Sequence, residues 1–147
     1  MANRIFAGPA GSYPSKAAPL VAGAEIGMGY LVERQTDATE YNLSTAAATV
    51  LEQEFLVTGD EGETSGLGVN DTYAAGETIE PIQPKSGQLV WLRFAAGNNV
   101  TQKGMPVTTA AAAGRFALAA AGNKVFAYTE QVINVTANDT LVLCRKP

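Results

Sequence analysis

Two halves of this chain lie over one another, and that repetition limits what it can fold into more than any other feature. Gly29-Tyr30-Leu31-Val32 matches Gly104-Met105-Pro106-Val107, and Tyr41-Asn42-Leu43 matches Phe116-Ala117-Leu118, at one shared separation of 75 residues (Gly29 to Gly104, Tyr41 to Phe116). Ala22-Gly23-Ala24-Glu25-Ile26 is laid over Ala96-Gly97-Asn98-Asn99-Val100, upstream of the first anchor in each half. Phe55-Leu56-Val57-Thr58 then resembles Phe126-Ala127-Tyr128-Thr129, and Gly76-Glu77-Thr78-Ile79 resembles Asn138-Asp139-Thr140-Leu141. These later anchors are closer together because the first half carries extra residues between Gly59 and Ala75. Glycine turns alternating with short apolar runs at a held spacing predict a duplicated β unit.

Between the halves stands Ser86 to Phe94, SGQLVWLRF. A short apolar run bounded by glycines reads as a buried strand, or as a buried helical segment if periodicity alone decides. Trp91, the only tryptophan, is the expected core anchor, since an indole in a small β domain is usually packing. The expected fold is therefore mainly β: a compact β-barrel or β-tulip-like domain of two similar β units, with at most one or two short helices. Residues 21–94 form the first unit and 95–147 the second, behind an extended arm over residues 1–20.

The arm contains Pro9, Pro14 and Pro19, which remove amide donors and favour extended backbone. Arg4, Ile5, Phe6 and Tyr13 are of the types that supply anchor contacts when a segment lies across a partner. Two outcomes are open: a terminus that packs on its own domain, or an arm that docks on a neighbouring subunit. After Tyr41-Asn42-Leu43, a short helix is expected from Ser44 or Thr45 toward Leu51 and Glu54, favoured by Ala, Leu and Glu. Residues 59–75, GDEGETSGLGVNDTYAA, form an acidic loop carrying Asp60, Glu61, Glu63 and Asp71. It reads as a solvated loop, a contact surface, or a calcium ligand set whose spacing does not fit an EF-hand. Pro81 limits Glu77 to Pro84 to an edge strand or a strand end. In the second half, 115–119 and 124–129 predict a hairpin around Ala121-Gly122-Asn123.

At 147 residues and 46 % hydrophobic content the chain forms one domain that can bury a core without staples. The formal charge of −4 and pI near 4.8 argue against a nucleic-acid surface, which needs clustered Lys and Arg. Cys144 is alone, so no intrachain disulfide is expected, and a reducing site of synthesis follows. No secretory signal and no membrane-length apolar run are read, so a soluble protein made in the cytosol is expected. There is no histidine. Its absence removes histidine-assisted triads, histidine general bases and histidine zinc sites together. No GxxxxGK[ST] or GxGxxG motif occurs either. No enzymatic activity, cofactor or metal is expected.

Taken together, AG-x-x-I-x-x-G-Y-L-V at Ala22 to Val32, its counterpart from Ala96 to Val107, and the GETI and NDTL turns resemble the head decoration, or capsid cement, proteins of tailed bacteriophages. The resemblance covers Pro19 to Cys144. It implies a compact β domain, often a trimer, seated on the outside of the expanded virion shell at junctions between subunits of the major capsid protein. Synthesis would be in the bacterial host cytoplasm. On that reading Ile5, Phe6 and Tyr13 are candidate capsid contacts and Arg4 a partner for capsid carboxylates. Two other classes stay open: a phage tail or fibre component, and a bacterial glycan-binding β module lined by residues such as Tyr30, Tyr41, Tyr73 and Trp91.

Overall fold

The computed structural model describes residues 4–9, 11–34, 39–45, 54–59 and 68–147, and among them the chain is all β with no helix. The expected helix between Ser44 and Glu54 falls largely on residues 46–53, outside the described set. The first half supplies β1 (Phe6–Gly8), β2 (Ser15–Lys16), β3 (Leu20–Ala22), β4 (Ile26–Gly27), β5 (Val32–Arg34), β6 (Glu40–Leu43), β7 (Thr72–Tyr73), β8 (Thr78–Ile79) and β9 (Ile82–Gln83). The remainder supplies β10 (Leu89–Phe94), β11 (Asn98–Val100), β12 (Pro106–Thr109), β13 (Phe116–Leu118), β14 (Ala127–Thr129), β15 (Ile133–Val135) and β16 (Thr140–Arg145).

Five strands close on themselves in the order β10, β13, β12, β14, β16 and back to β10. Closure leaves no free ladder inside the ring. The longest seam joins β10 to β16 from Leu89↔Arg145 to Phe94↔Thr140. Along β10 the side chains alternate, with Val90, Leu92 and Phe94 buried and Leu89, Trp91 and Arg93 half-buried. The alternation is that of a strand with one face inward, so the helical alternative for this stretch falls away. It also corrects the expectation for Trp91, which packs against the core's edge. The aromatic centre is instead Phe94, Phe116 and Phe126 with Phe55, ring centroids 5.5 to 6.5 Å apart, in edge-on and tilted contacts that suit aromatic quadrupoles.

The first half repeats this pairing scheme. β5 on β6 runs Val32↔Leu43, Glu33↔Asn42 and Arg34↔Tyr41; β12 on β13 runs Val107↔Leu118, Thr108↔Ala117 and Thr109↔Phe116. Each partner is displaced by the same 75 residues. The bridges Leu31↔Val57 and Val57↔Ile82 stand where Pro106↔Tyr128 and Tyr128↔Arg145 stand later. The parallel pair Ala22↔Tyr41 stands where Phe94↔Phe116 does. This last equivalence corrects the alignment at the front of each half: Ala22 overlies Phe94, not Ala96. Likewise Leu20↔Ile79 matches Leu92↔Val142, one residue from the pairing read along the sequence. Sheet register is fixed by which face is buried, and that outweighs matching Ala and Gly letters.

One side chain repeats with the backbone. The Thr58 hydroxyl accepts from the Tyr30 amide at 3.1 Å and donates to the Gly27 carbonyl at 2.7 Å. The Thr129 hydroxyl accepts from the Met105 amide at 3.0 Å and donates to the Gln102 carbonyl at 3.2 Å. Both threonines are buried, so each satisfies its own polar group while pinning the turn before β5 or β12.

The predicted hairpin around Ala121-Gly122-Asn123 does not form as such. The turn is present, with the Asn123 amide on the Ala120 carbonyl, but β13 and β14 lie on opposite sides of β12. The tight hairpin is β12–β13, through Gly114 at φ 72°. Its Cβ would lie 2.6 Å from the Leu43 side chain, which ties that turn to the first half as well.

The two rings are closed unequally. In the second, continuous strands β14 and β16 complete the circuit; in the first, isolated bridges at Val57 do so, and Pro81 separates β8 from β9. Hydrogen exchange is therefore expected to show the amides of Leu92 and Val142 opening only with global unfolding, and those of Val57 and Ile82 at lower free energy. Equal protection at Val57 and Val142 would contradict this ranking.

Candidate interaction surface

The N-terminal segment is extended but not loose. β1 pairs with β10 through Phe6↔Val90 and Gly8↔Leu89, and the Trp91 amide donates to the Ile5 carbonyl at 2.8 Å. Further along, β2 pairs with β9, and Ala17 joins the core. Ile5 is fully buried, which corrects its assignment as an outward-facing contact: it anchors the segment to its own domain. Phe6 is half-buried, Arg4 exposed, and Tyr13 is 77 % exposed.

Arg4, Phe6, Tyr13 and the turn at Gly8, Pro9, Gly11 and Ser12 surround an open hollow of about 310 Å³. The Ser12 amide and hydroxyl both donate to the Pro9 carbonyl, at 3.2 and 2.7 Å, so the turn carries its own hydrogen bonds. The segment thus presents a large aromatic ring from a hydrogen-bonded loop whose root is in the core. Such pre-ordering lowers the entropy lost on contact with a partner.

Of the acidic loop, Asp60, Glu61 and Glu63 lie outside the described residues. Asp71 is described and exposed; its carboxylate accepts from the Gly68 amide at 2.6 Å. Among the described residues no three acidic, cysteine or histidine side chains gather in metal-binding proximity. Cys144 is buried, and burial pushes its thiol far above the ordinary range, which keeps it protonated and unreactive near neutrality.

A second polar assembly, not anticipated from the sequence, joins the halves. Arg93 donates from Nε to the Met28 carbonyl at 3.0 Å, from Nη1 to the Asp139 carbonyl at 2.9 Å and from Nη2 to the Val69 carbonyl at 2.8 Å. It thereby holds the returning end of the acidic loop against β10. Arg115 grips the Asp139 carboxylate with Nε at 2.5 Å and Nη2 at 3.2 Å, the two-pronged geometry that suits guanidinium and carboxylate. The Arg115 guanidinium also lies 5.7 Å from the centre of the Tyr30 ring, a cation over an aromatic face. The hydrogen bonds from Arg115 lower the Asp139 pKa, while burial opposes the shift. Tyr30 is raised, first by burial and then by its contact with Asp139.

Asp139 has φ 65°, a left-handed backbone that disfavours side chains. The Asp139 amide donates to the Phe94 carbonyl at 2.9 Å, as the Gly76 amide donates to the Ala22 carbonyl at 2.8 Å. Gly76 is at φ 87°, so the second half has an aspartate where the first has glycine. The sequence hint was the pairing of Gly76-Glu77-Thr78-Ile79 with Asn138-Asp139-Thr140-Leu141, once read one residue further along.

Asp139→Ala should lose about 1–2 kcal/mol in denaturant unfolding, chiefly from the lost charge-assisted hydrogen bonds to Arg115, because aspartate and alanine both bear the left-handed backbone cost, aspartate somewhat less. Asp139→Gly should lose less than the alanine variant. Because the folded pKa of Asp139 is lowered, its contribution is present above the unfolded value near 3.9 and fades as pH falls through the folded value. The wild-type advantage over Asp139→Gly should accordingly shrink in acid; a constant gap would show that the carboxylate charge is not involved. Ile5→Ala should lose about 2–5 kcal/mol, and Tyr13→Ala should leave stability within about 0.5 kcal/mol.

No protein-family model matches this chain and no curated protein matches it, so a functional reading has to be built on the surface just described.

Proposed function

We propose that the chain is a structural virion protein that binds the outer face of the expanded phage capsid, at junctions between major capsid protein subunits, and stabilises the shell. The observation that carries this reading is the pre-ordered N-terminal segment. Ile5 roots it in the core, and Tyr13 and Phe6 flank an open hollow beside Arg4. An aromatic side chain with an arginine nearby is the composition of protein contact sites. Support also comes from the family resemblance and from the closed five-stranded barrel of the second half, a rigid body whose circuit leaves no strand unpaired.

Trimeric assembly belongs to the same proposal. Three linked copies would meet several shell subunits at once, and multivalent contact raises modest single-site affinity without a deep pocket. The acidic loop takes no assigned part in it.

Cosedimentation with purified shells tests the proposal. The protein should pellet with expanded capsids and not with unexpanded proheads, and Tyr13→Ala should weaken binding by about tenfold without loss of fold. Deleting the segment is a poor substitute, because Ile5 and Ala17 would leave the core with it. Equal pelleting with both shell forms, or with neither, would end the capsid reading.

A further inference from the structure

One edge of β10 is covered in three pieces. Its alternate amides, those of Trp91, Arg93 and Ala95, donate to the Ile5 carbonyl at 2.8 Å, the Gly29 carbonyl at 2.9 Å and the Phe116 carbonyl at 3.0 Å. Neighbouring amides along a strand point to opposite edges, so that of Leu92 belongs to the seam with β16. The ring of β10, β13, β12, β14 and β16 is closed without β1, which is an added sixth strand. It meets β10 through Phe6↔Val90 and Gly8↔Leu89, with a break in register between them.

The first ring has no such strand to place. Its Gly23 amide donates to the Tyr41 carbonyl at 2.9 Å, as that of Ala95 does to Phe116. Counting back from the matched residues Leu20 and Leu92, Pro19 stands in the place of Trp91, and proline has no amide to satisfy. The adjacent Ala18 carbonyl accepts from the Tyr41 hydroxyl at 2.6 Å, a group that Phe116, the counterpart of Tyr41, lacks. One half closes this edge with its own residues, and the other leaves it to the N-terminal segment.

We infer that β1 is a releasable strap, which leaves β10 as a unit while the second ring stays closed. Closed, it seats Ile5 in the core and holds Arg4 and Phe6 at the hollow beside Tyr13. Open, it bares the Trp91 amide and the space that Ile5 fills, and it carries Arg4 and Phe6 away from Tyr13. The strap thereby switches the contact surface on and off. What its groove recognises is an extended backbone with a branched aliphatic side chain at the place of Ile5, the chemistry of strand addition. The inference rests on the shell-binding reading only for what the closed state serves.

Hydrogen exchange on the full chain tests it. In wild type the Trp91 amide should exchange at least about tenfold faster than that of Leu92, its neighbour on the same strand. Ile5→Asp should hold the strap open, since a lone carboxylate is not accommodated in an apolar core. Trp91 should then lose its protection while Leu92 and Val142 stay protected. A peptide with the sequence of residues 1–12, added at about 1 mM to compete with the tethered segment, should restore protection at Trp91 in that variant; the same peptide carrying Ile5→Asp should not. The folded variant should also pellet with expanded shells about tenfold more weakly, although Arg4, Phe6 and Tyr13 are all retained. Equal exchange of Trp91 and Leu92 in wild type, loss of Leu92 and Val142 together with Trp91 in the variant, a peptide without effect, or undiminished pelleting would each overturn the inference. Separate opening at Trp91 in a wild type that pellets with no shell would keep the strap and end the capsid reading; joint opening in a wild type that pellets with expanded shells would do the reverse.

Discussion

The hydrogen-bonded seam between Leu89–Phe94 and Thr140–Arg145 is the constraint on which the remaining structure depends. It brings the end of the chain back to its middle, and only then do β12, β13 and β14 have a circuit to complete. The same strand receives the N-terminal segment along its early residues, and through Arg93 it holds the Met28, Val69 and Asp139 carbonyls. A strand with one buried face tolerates no slip by a single residue, because a slip would turn Val90, Leu92 and Phe94 outward and bring Trp91 and Arg93 inward. The register of the barrel, the seating of the first segment and the joint between halves are therefore set together.

Much of this was legible before any coordinates. The held spacing from Gly29 to Gly104 and from Tyr41 to Phe116 carried the duplication, and the pairing of β5 with β6 and of β12 with β13 keeps that spacing residue for residue. Glycine turns and apolar triplets are local signals, and local signals survive in sequence. What was not legible was long-range. Nothing in Lys124 to Thr129 distinguishes a partner at β13 from one at β12, since both would bury the same face. Trp91 looked like the core because of its size, yet alternation along β10 gives the interior to its neighbours. Ile5 looked available because prolines follow it, but the segment is drawn in by its pairing with β10 and β9 and by the burial of Ile5 and Ala17.

The side chains of the interaction surface were named by type and then separated by burial. Tyr13 stayed outside and Ile5 went in, so the fold divides the residues into a root and a presented tip. The polar joint was missed for a different reason. Arg93 and Arg115 are ordinary strand residues in sequence, and only the long-range pairing of β10 with β13 and β16 brings them to Asp139, with Tyr30 and the end of the acidic loop arriving from the first half.

The aspartate at the left-handed position has one more implication. In the first half that site keeps glycine, whose backbone is content with either hand; in the second, the carboxylate holds an unfavourable conformation in place through Arg115 of its own half and, to a smaller degree, Tyr30 of the other. An excised second half would keep the Arg115 clasp on Asp139 and lose only the share of the compensation that Tyr30 of the first half supplies, so the left-handed turn marks a place where the halves are unequal in what they owe each other.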